Sequence, residues 1–256
     1  MAPAVGELVA GIREHGWRGL LDLVVLSVLW FLCMLSAGLE VAVPVLLSHG
    51  AGLLITALAA LAPLALVGPG SIGLFRGADG VWSGECSGPL DSVRYFWAGL
   101  SRRYLRGVGL SVVWAVVVLG TYANLREDVS LVPHFLLLGL GILLLYLLLF
   151  FVMVHVYLLP VLATTDFSLW EAARVGAWEA VANPMFTLVV LLGPAAVLAV
   201  GFVVHPLLPM LLGGALGLLC TGALRFAPYR HPDLPAPRWL DRPEEQPPLP
   251  PTGTRP

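Results

Sequence analysis

Lysine is missing altogether: the fourteen basic residues are all arginine, set against sixteen Asp and Glu for a net charge of −2. Charge of either sign is scarce. Only 12% of the 256 residues are charged, roughly half of what a soluble domain uses to cover its surface. That excludes an ordinary water-soluble globule, and the lack of any basic domain argues against nucleic acid as a ligand. Cys33, Cys86 and Cys220 are too few and too scattered for a disulfide framework or a metal cluster. Catalytic signatures are missing as well. Arg13-Glu14-His15 lacks the second histidine of H-E-x-x-H, and there is no G-x-S-x-G, Walker loop or G-x-G-x-x-G. The expectation is a protein that is not an enzyme, with no cofactor and no metal site.

What the chain has in abundance is apolar residues, 58% of the total, with 28 glycines and a mean hydropathy of +0.88. Stretches free of Asp, Glu, Arg and Lys run over 23–39, 41–75, 107–125, 129–165 and 180–224. A helix needs about 20 apolar residues to cross a bilayer. The runs divide at Ser48-His49-Gly50 and at Val204-His205-Pro206, where proline disfavours helix in the residue before it. They predict six transmembrane helices, near 20–45, 52–74, 107–125, 133–163, 184–203 and 207–225. The expected fold class is an all-α membrane protein. Residues 1–19 form an amphipathic segment, 20–226 the transmembrane domain, and 227–256 a Pro-rich flexible cytoplasmic tail. The first apolar run is too long for a signal peptide and no A-x-A site follows it, so it reads as an uncleaved anchor.

Arginine placement orients this scheme. With the N-terminus inside, thirteen of the fourteen arginines fall on the cytoplasmic side and only Arg126 outside. Translocating cationic loops is unfavourable, so both termini are expected in the cytoplasm of a multi-pass inner-membrane protein.

Amphipathic segments flank the spans on the arginine side. Pro89 suits the first position of a helix, after which Leu90, Val93, Phe96, Trp97, Leu100 and Tyr104 recur at helical spacing. Ser168 and Glu171 make an S-x-x-E capping box that opens a helix ending at Asn183-Pro184. Leu8, Ile12 and Trp17 offer a third helix. Ala10-Gly11-Ile12 through Arg18-Gly19 aligns without gaps on Ala98-Gly99-Leu100 through Arg106-Gly107, suggesting three units near 6–75, 89–163 and 167–225. Arg94, Phe96, Trp97, Arg102, Arg103, Tyr104, Trp170 and Arg174 are the candidate interaction surface, facing lipid headgroups or a membrane partner.

No acid or base falls at the expected midplane, which argues against ion coupling. His49, His134 and His205 lie one per hairpin at the outer end, with Glu40, Glu127 or Asp128 near enough in sequence to complete a metal or pH-sensing cluster. The reading that they are ordinary interfacial residues stands beside that one. Gly68-Pro69-Gly70 reads as a break or a close helix contact, and Gly213, Gly214 and Gly217 as close packing of the last span.

Several segments resemble the YesL-like family of bacterial integral membrane proteins. Trp30-Phe31-Leu32-Cys33 resembles its W-L-L-C element, and Val67 through Phe75 its T-I-G-P-A-T-A-A-L-Y element, although the two are far apart here and nearly adjacent in the family. Val93 through Tyr104 is similar to D-F-F-x-x-F-R-R-x-F, Tyr157 through Leu162 to Y-L-F-P-L-L, and Ala182 through Leu188 to A-N-P-L-x-T-L. The resemblance implies a non-catalytic accessory factor of carbohydrate uptake by an ABC-type importer. The partners implied are the lipid bilayer, the importer or another membrane protein, and further copies of the chain. A small transporter or channel, acting alone or as an oligomer, is the alternative.

Overall fold

A computed structural model describes residues 2–47, 64–126, 134–192, 195, 208–229, 231, 232 and 234. All the regular structure among them is helical. The helices are α1 (Ala2–Arg18), α2 (Leu20–Leu47), α3 (Leu64–Trp82), α4 (Pro89–Arg102), α5 (Tyr104–Arg126), α6 (His134–Thr164), α7 (Leu169–Ala182), α8 (Pro184–Leu192) and α9 (Leu208–Phe226). One of them is long and apolar enough to cross a membrane, over Gly141–Thr164 with mean hydropathy 2.7. The number rises to three if the bent pairs α1–α2 (86°) and α7–α8 (96°) each count as one span. The expected turns at 48–50 and 204–206 lie outside the described residues.

A single residue separates one helix from the next at three places: Gly19, Arg103 and Asn183. The backbone solves each junction in the same way. The carbonyl of the junction residue accepts the N–H four residues on, from Leu23, Gly107 and Thr187 respectively, at 2.9–3.0 Å. Each junction carbonyl thus makes the first intrahelical bond of the helix that follows. The cap before α7 is different: Ser168 and Glu171 form the expected reciprocal box.

The packing follows a cyclic rule. The short helices α1, α4 and α7 lie on α9, α3 and α6, while α3, α6 and α9 pack against one another at the centre. The helix after each junction is tied by a polar contact to the second long helix of the preceding unit. Gly214 N–H of α9 donates to Ser27 Oγ of α2 at 2.7 Å, and Gly68 N–H of α3 donates to Ser111 Oγ of α5 at 2.8 Å. The hydroxyls of Tyr157 on α6 and Thr187 on α8 pair at 2.8 Å. Such interhelical bonds contribute about 0.6–2 kcal/mol each in an apolar surround. Among the described residues the result is three short helices and the helices after their junctions arranged around the triad of α3, α6 and α9, which is filled by apolar side chains such as Ile72, Phe75, Val161, Leu162 and Leu218.

This arrangement settles two sequence readings. Ser27 and Ser111 each stand eight residues after a junction, so the helices following the junctions align at an offset four residues shorter than the ungapped alignment gives. That alignment does pair Gly11 with Gly99, both of which press on a neighbouring helix, but α4 reaches its junction one turn sooner. Gly68-Pro69-Gly70 is a close contact and no break. α3 runs through Pro69, and a Cβ on Gly107 of α5 would lie 2.6 Å from Pro69 Cα.

Two element ends differ from the sequence reading. α3 continues to Trp82, beyond the expected end at 74, because Arg76 and Asp79 are not left as lone charges. Asp79 takes Arg225 of α9 at 2.5 Å and Arg76 at 3.1 Å, a largely buried triad that lets the helix carry charge past its apolar run. The tail after α9 is held at its start. Asn183 Nδ2 donates to the Tyr229 carbonyl at 2.8 Å, and His231 N–H donates to the fully buried Glu179 at 2.7 Å. Residues 235–256 lie outside the described residues.

Candidate functional site

The clustered arginines gather where α4 crosses the end of α3. α4 presents three stripes, each set by helical spacing. Ser92, Phe96 and Gly99 are buried, Leu90, Val93 and Trp97 are exposed, and Arg94, Ala98 and Arg102 line a concave pocket of about 420 Å³. Arg76 from α3, Tyr95 and Gly99 of α4, the junction residue Arg103, Thr164 at the end of α6 and Asp166 just beyond it complete the lining. Close approach of the two helices makes the pocket: a Cβ on Gly99 would meet Arg76 Cβ at 2.7 Å and Gly73 Cα at 3.0 Å.

Its electrostatics are one-sided. Arg94 sits 3.6 Å from Asp91, Arg103 bonds the Leu162 carbonyl and reaches Asp166 at 3.3 Å, and Arg106 donates to the Asp166 carbonyl at 3.0 Å. Arg102 makes no ion pair among the described residues, and Nη1 of Arg106 is buried without a partner among them. Burial lowers the pKa of Arg103, with its carboxylate neighbour Asp166 opposing. Tyr95 donates to Glu85 at 2.7 Å, which raises its phenol to about 12, and its ring lies under the Arg76 guanidinium at 5.5 Å.

The structure sorts the expected interaction residues into two places. Arg94, Arg102 and Arg103 meet in the pocket, with Trp97 and Tyr104 exposed on the neighbouring stripe. Trp170 and Arg174 line a second, apolar groove of about 730 Å³ between α5, α6 and α7. Phe96 belongs to neither and is a correction: it is 3% exposed, seated against Gly73 of α3, which has no side chain to displace it. Sequence reasoning missed Arg76 and Asp166, whose convergence with α4 is tertiary. A weak signal was present in Gly73 and Gly99, small residues on two facing helices.

The apolar groove opens where α5 and α6 are held apart. Trp114, Phe151 and His155 pack ring to ring across it, with centroids 4.2–4.9 Å apart. His155 Nδ1 lies 2.7 Å from the Phe151 carbonyl, and Nε2 is buried without a partner among the described residues. No group of three or more metal-ligating side chains occurs among the described residues. His49 and His205, and the side chain of His134, lie outside them, so the outer-end histidine cluster does too.

No protein-family model matches the chain, and no curated protein or solved structure matches it either. The class is therefore defined by the fold: an all-helical protein with at least one helix able to span a membrane, carrying an arginine-lined pocket at one end of its helical ring.

Proposed function

We propose that the chain is a six-span protein of the cytoplasmic membrane with both termini inside, acting as a non-catalytic accessory factor of a larger membrane assembly, a carbohydrate importer of the ABC type by its YesL-like resemblance. One observation carries the membrane-surface part of this reading. Each short helix before a junction exposes a tryptophan: Trp17 is 80% exposed, Trp97 64% and Trp170 79%, with Trp178 on α7 at 40%. Three indoles on three hinged amphipathic helices suit a belt at headgroup depth. The thirteen-to-one arginine bias supports placing that belt on the cytoplasmic side. The apolar filling of the central triad favours a scaffold over a solute path.

Two measurements test this. Reporter tags in the loops 83–88, 127–133 and 165–168 and after 256 should read inside, outside, inside, inside. The tagged chain, extracted in a gentle detergent, should bring down the membrane subunits of a carbohydrate importer. Failure to recover any membrane partner, or solute movement by the purified protein alone in liposomes, overturns the accessory role.

A further inference from the structure

The threefold ring allows its own corners to be compared. Four residues before each junction stand His15, Gly99 and Glu179. Two of these corners are filled. His15 packs its ring on Trp82 with centroids 5.0 Å apart. Glu179 receives the backbone N–H of His231, whose ring stands edge-on to Trp178 at 5.2 Å, so the chain after α9 closes that corner. The residues in register with Trp178 and Glu179 in the second unit are Ala98 and Gly99. They offer neither a ring nor a carboxylate; Gly99 closes directly on Gly73 and Arg76 of α3, and a pocket of about 420 Å³ opens beside that contact.

What rims this opening is cationic. Arg76, Arg94, Arg102 and Arg103 line it, with Arg106 and Arg225 adjoining, and the carboxylates near them are Asp79, Asp91, Asp166 and Glu171. Arg102 makes no ion pair among the described residues. Asp79 is turned to Arg76 and Arg225, and Asp166, its side chain 97% exposed, is the one carboxylate of the lining and pairs with Arg103, so the lining is mostly cationic donors. Planar guanidiniums recognise phosphate oxygens through paired N–H···O bonds. A phosphomonoester carries close to two negative charges and three acceptor oxygens, whereas a phosphodiester carries one charge.

We infer that this arginine-lined pocket beside the crossing of α3 and α4 is a binding site for a phosphomonoester group. The site goes beyond the accessory role, because it requires no importer and no partner protein. The exposed stripe Leu90, Val93 and Trp97 beside it fits a ligand presented from a bilayer, as in phosphatidic acid. A soluble phosphorylated molecule of the size of glycerol 3-phosphate offers the same group.

The test uses the full chain in nanodiscs of phosphatidylcholine, alone or doped with phosphatidic acid or with phosphatidylglycerol, and separately in dodecylmaltoside with glycerol 3-phosphate. Binding is read by native mass spectrometry and calorimetry for the wild type, Arg94→Gln, Arg102→Gln, and Arg18→Gln on α1 as the control outside the pocket. Expected is a preference for phosphatidic acid over phosphatidylglycerol, or saturable binding of glycerol 3-phosphate. Arg94→Gln and Arg102→Gln should each weaken binding by about ten- to a hundredfold, and Arg18→Gln should leave it unchanged. Binding in the nanodisc arm assigns the lipid as source, and binding in the detergent arm the soluble molecule. Equal retention of phosphatidic acid and phosphatidylglycerol with no glycerol 3-phosphate binding overturns the inference. So does unchanged affinity in both pocket variants. Arg94 and Arg102 are exposed, so folding of these variants is not in question, and loss of importer pull-down without loss of phosphate binding would separate the two proposals.

Discussion

The sharpest demand the ring makes is at the crossing of α3 and α5, and Gly68→Ala probes it. A Cβ at this position would overlap the Gly107 carbonyl oxygen far inside van der Waals contact and lie 2.5 Å from Ser111 Oγ, closer than the 3.0 Å that real Cβ atoms essentially never breach. The first obstacle is backbone, which cannot rotate away. The two helices must part, and parting them also breaks the Gly68 N–H bond to Ser111. Overpacking of this kind costs about 1–3 kcal/mol and the lost interhelical bond about 0.6–2 kcal/mol. Alanine's better helix propensity returns up to about 1 kcal/mol. The net expectation is a loss of about 1–4 kcal/mol. Gly141→Ala is the matched control, since nothing lies within 4 Å of a Cβ there, and it should be neutral or slightly stabilising. Ser111→Ala, which removes only the acceptor, should fall between the two. Reversible unfolding in mixed micelles of increasing SDS fraction, followed by tryptophan fluorescence, gives the ranking directly. If Gly68→Ala unfolds at the same SDS fraction as Gly141→Ala, the close crossing and the ring built on it are wrong.

Truncation after Phe226 should destabilise the protein by about 1–3 kcal/mol, because the fully buried Glu179 then loses the His231 N–H; truncation after Leu234 should leave the unfolding curve in place. Acidification should fray α4 and α7 at their first turns. Hydrogen bonds from Ser87 hold Asp91, and hydrogen bonds from Ser168 hold Glu171, below their ordinary values of 3.8 and 4.5. Their contribution is therefore present above those values and lost as pH falls through the lower folded-state values. Amide exchange corrected for intrinsic rates should show loss of protection in those turns on acidification from pH about 5 to about 3, with α1, which has no acid in its first turn, as the unaffected comparison. Cys86 should resist alkylation. Burial raises its thiol from 9.0 to about 11, so the maleimide rate should keep climbing with pH well beyond the point where an unburied thiol levels off.

Features that depend on a few neighbouring residues were legible in the sequence. The Ser168–Glu171 box and Pro89 at the start of α4 are local hydrogen-bond and backbone preferences, and both are present. Charge was a poor terminator. Counting uncharged residues ends the second run at Phe75, but the helix runs on through Arg76 and Asp79 because Arg225, far along the chain, neutralises them. Periodicity placed Phe96 and Trp97 together on the apolar side of α4 and could not tell the buried residue from the exposed one, since that depends on Gly73 of another helix. The same limit hid the pocket. Arg94 and Arg102 are neighbours on one helix face, whereas Arg76, Arg103 and Asp166 reach them only through the fold. The threefold pattern was faint because its units share geometry more than residues: glycine, arginine and asparagine all serve as the junction.

A closed ring also imposes an order in time. The bonds joining the second unit to the first and the third to the second span 43 and 30 residues, Gly68 to Ser111 and Tyr157 to Thr187. The bond that closes the circle spans 187, from Ser27 to Gly214. A chain made from its N-terminus can join its neighbouring units as they emerge. Its first long helix keeps one face unmatched until the last helix is synthesised, so an incomplete chain carries its own mark: the flank of α2 around Leu23 and Ser27, against which α9 packs.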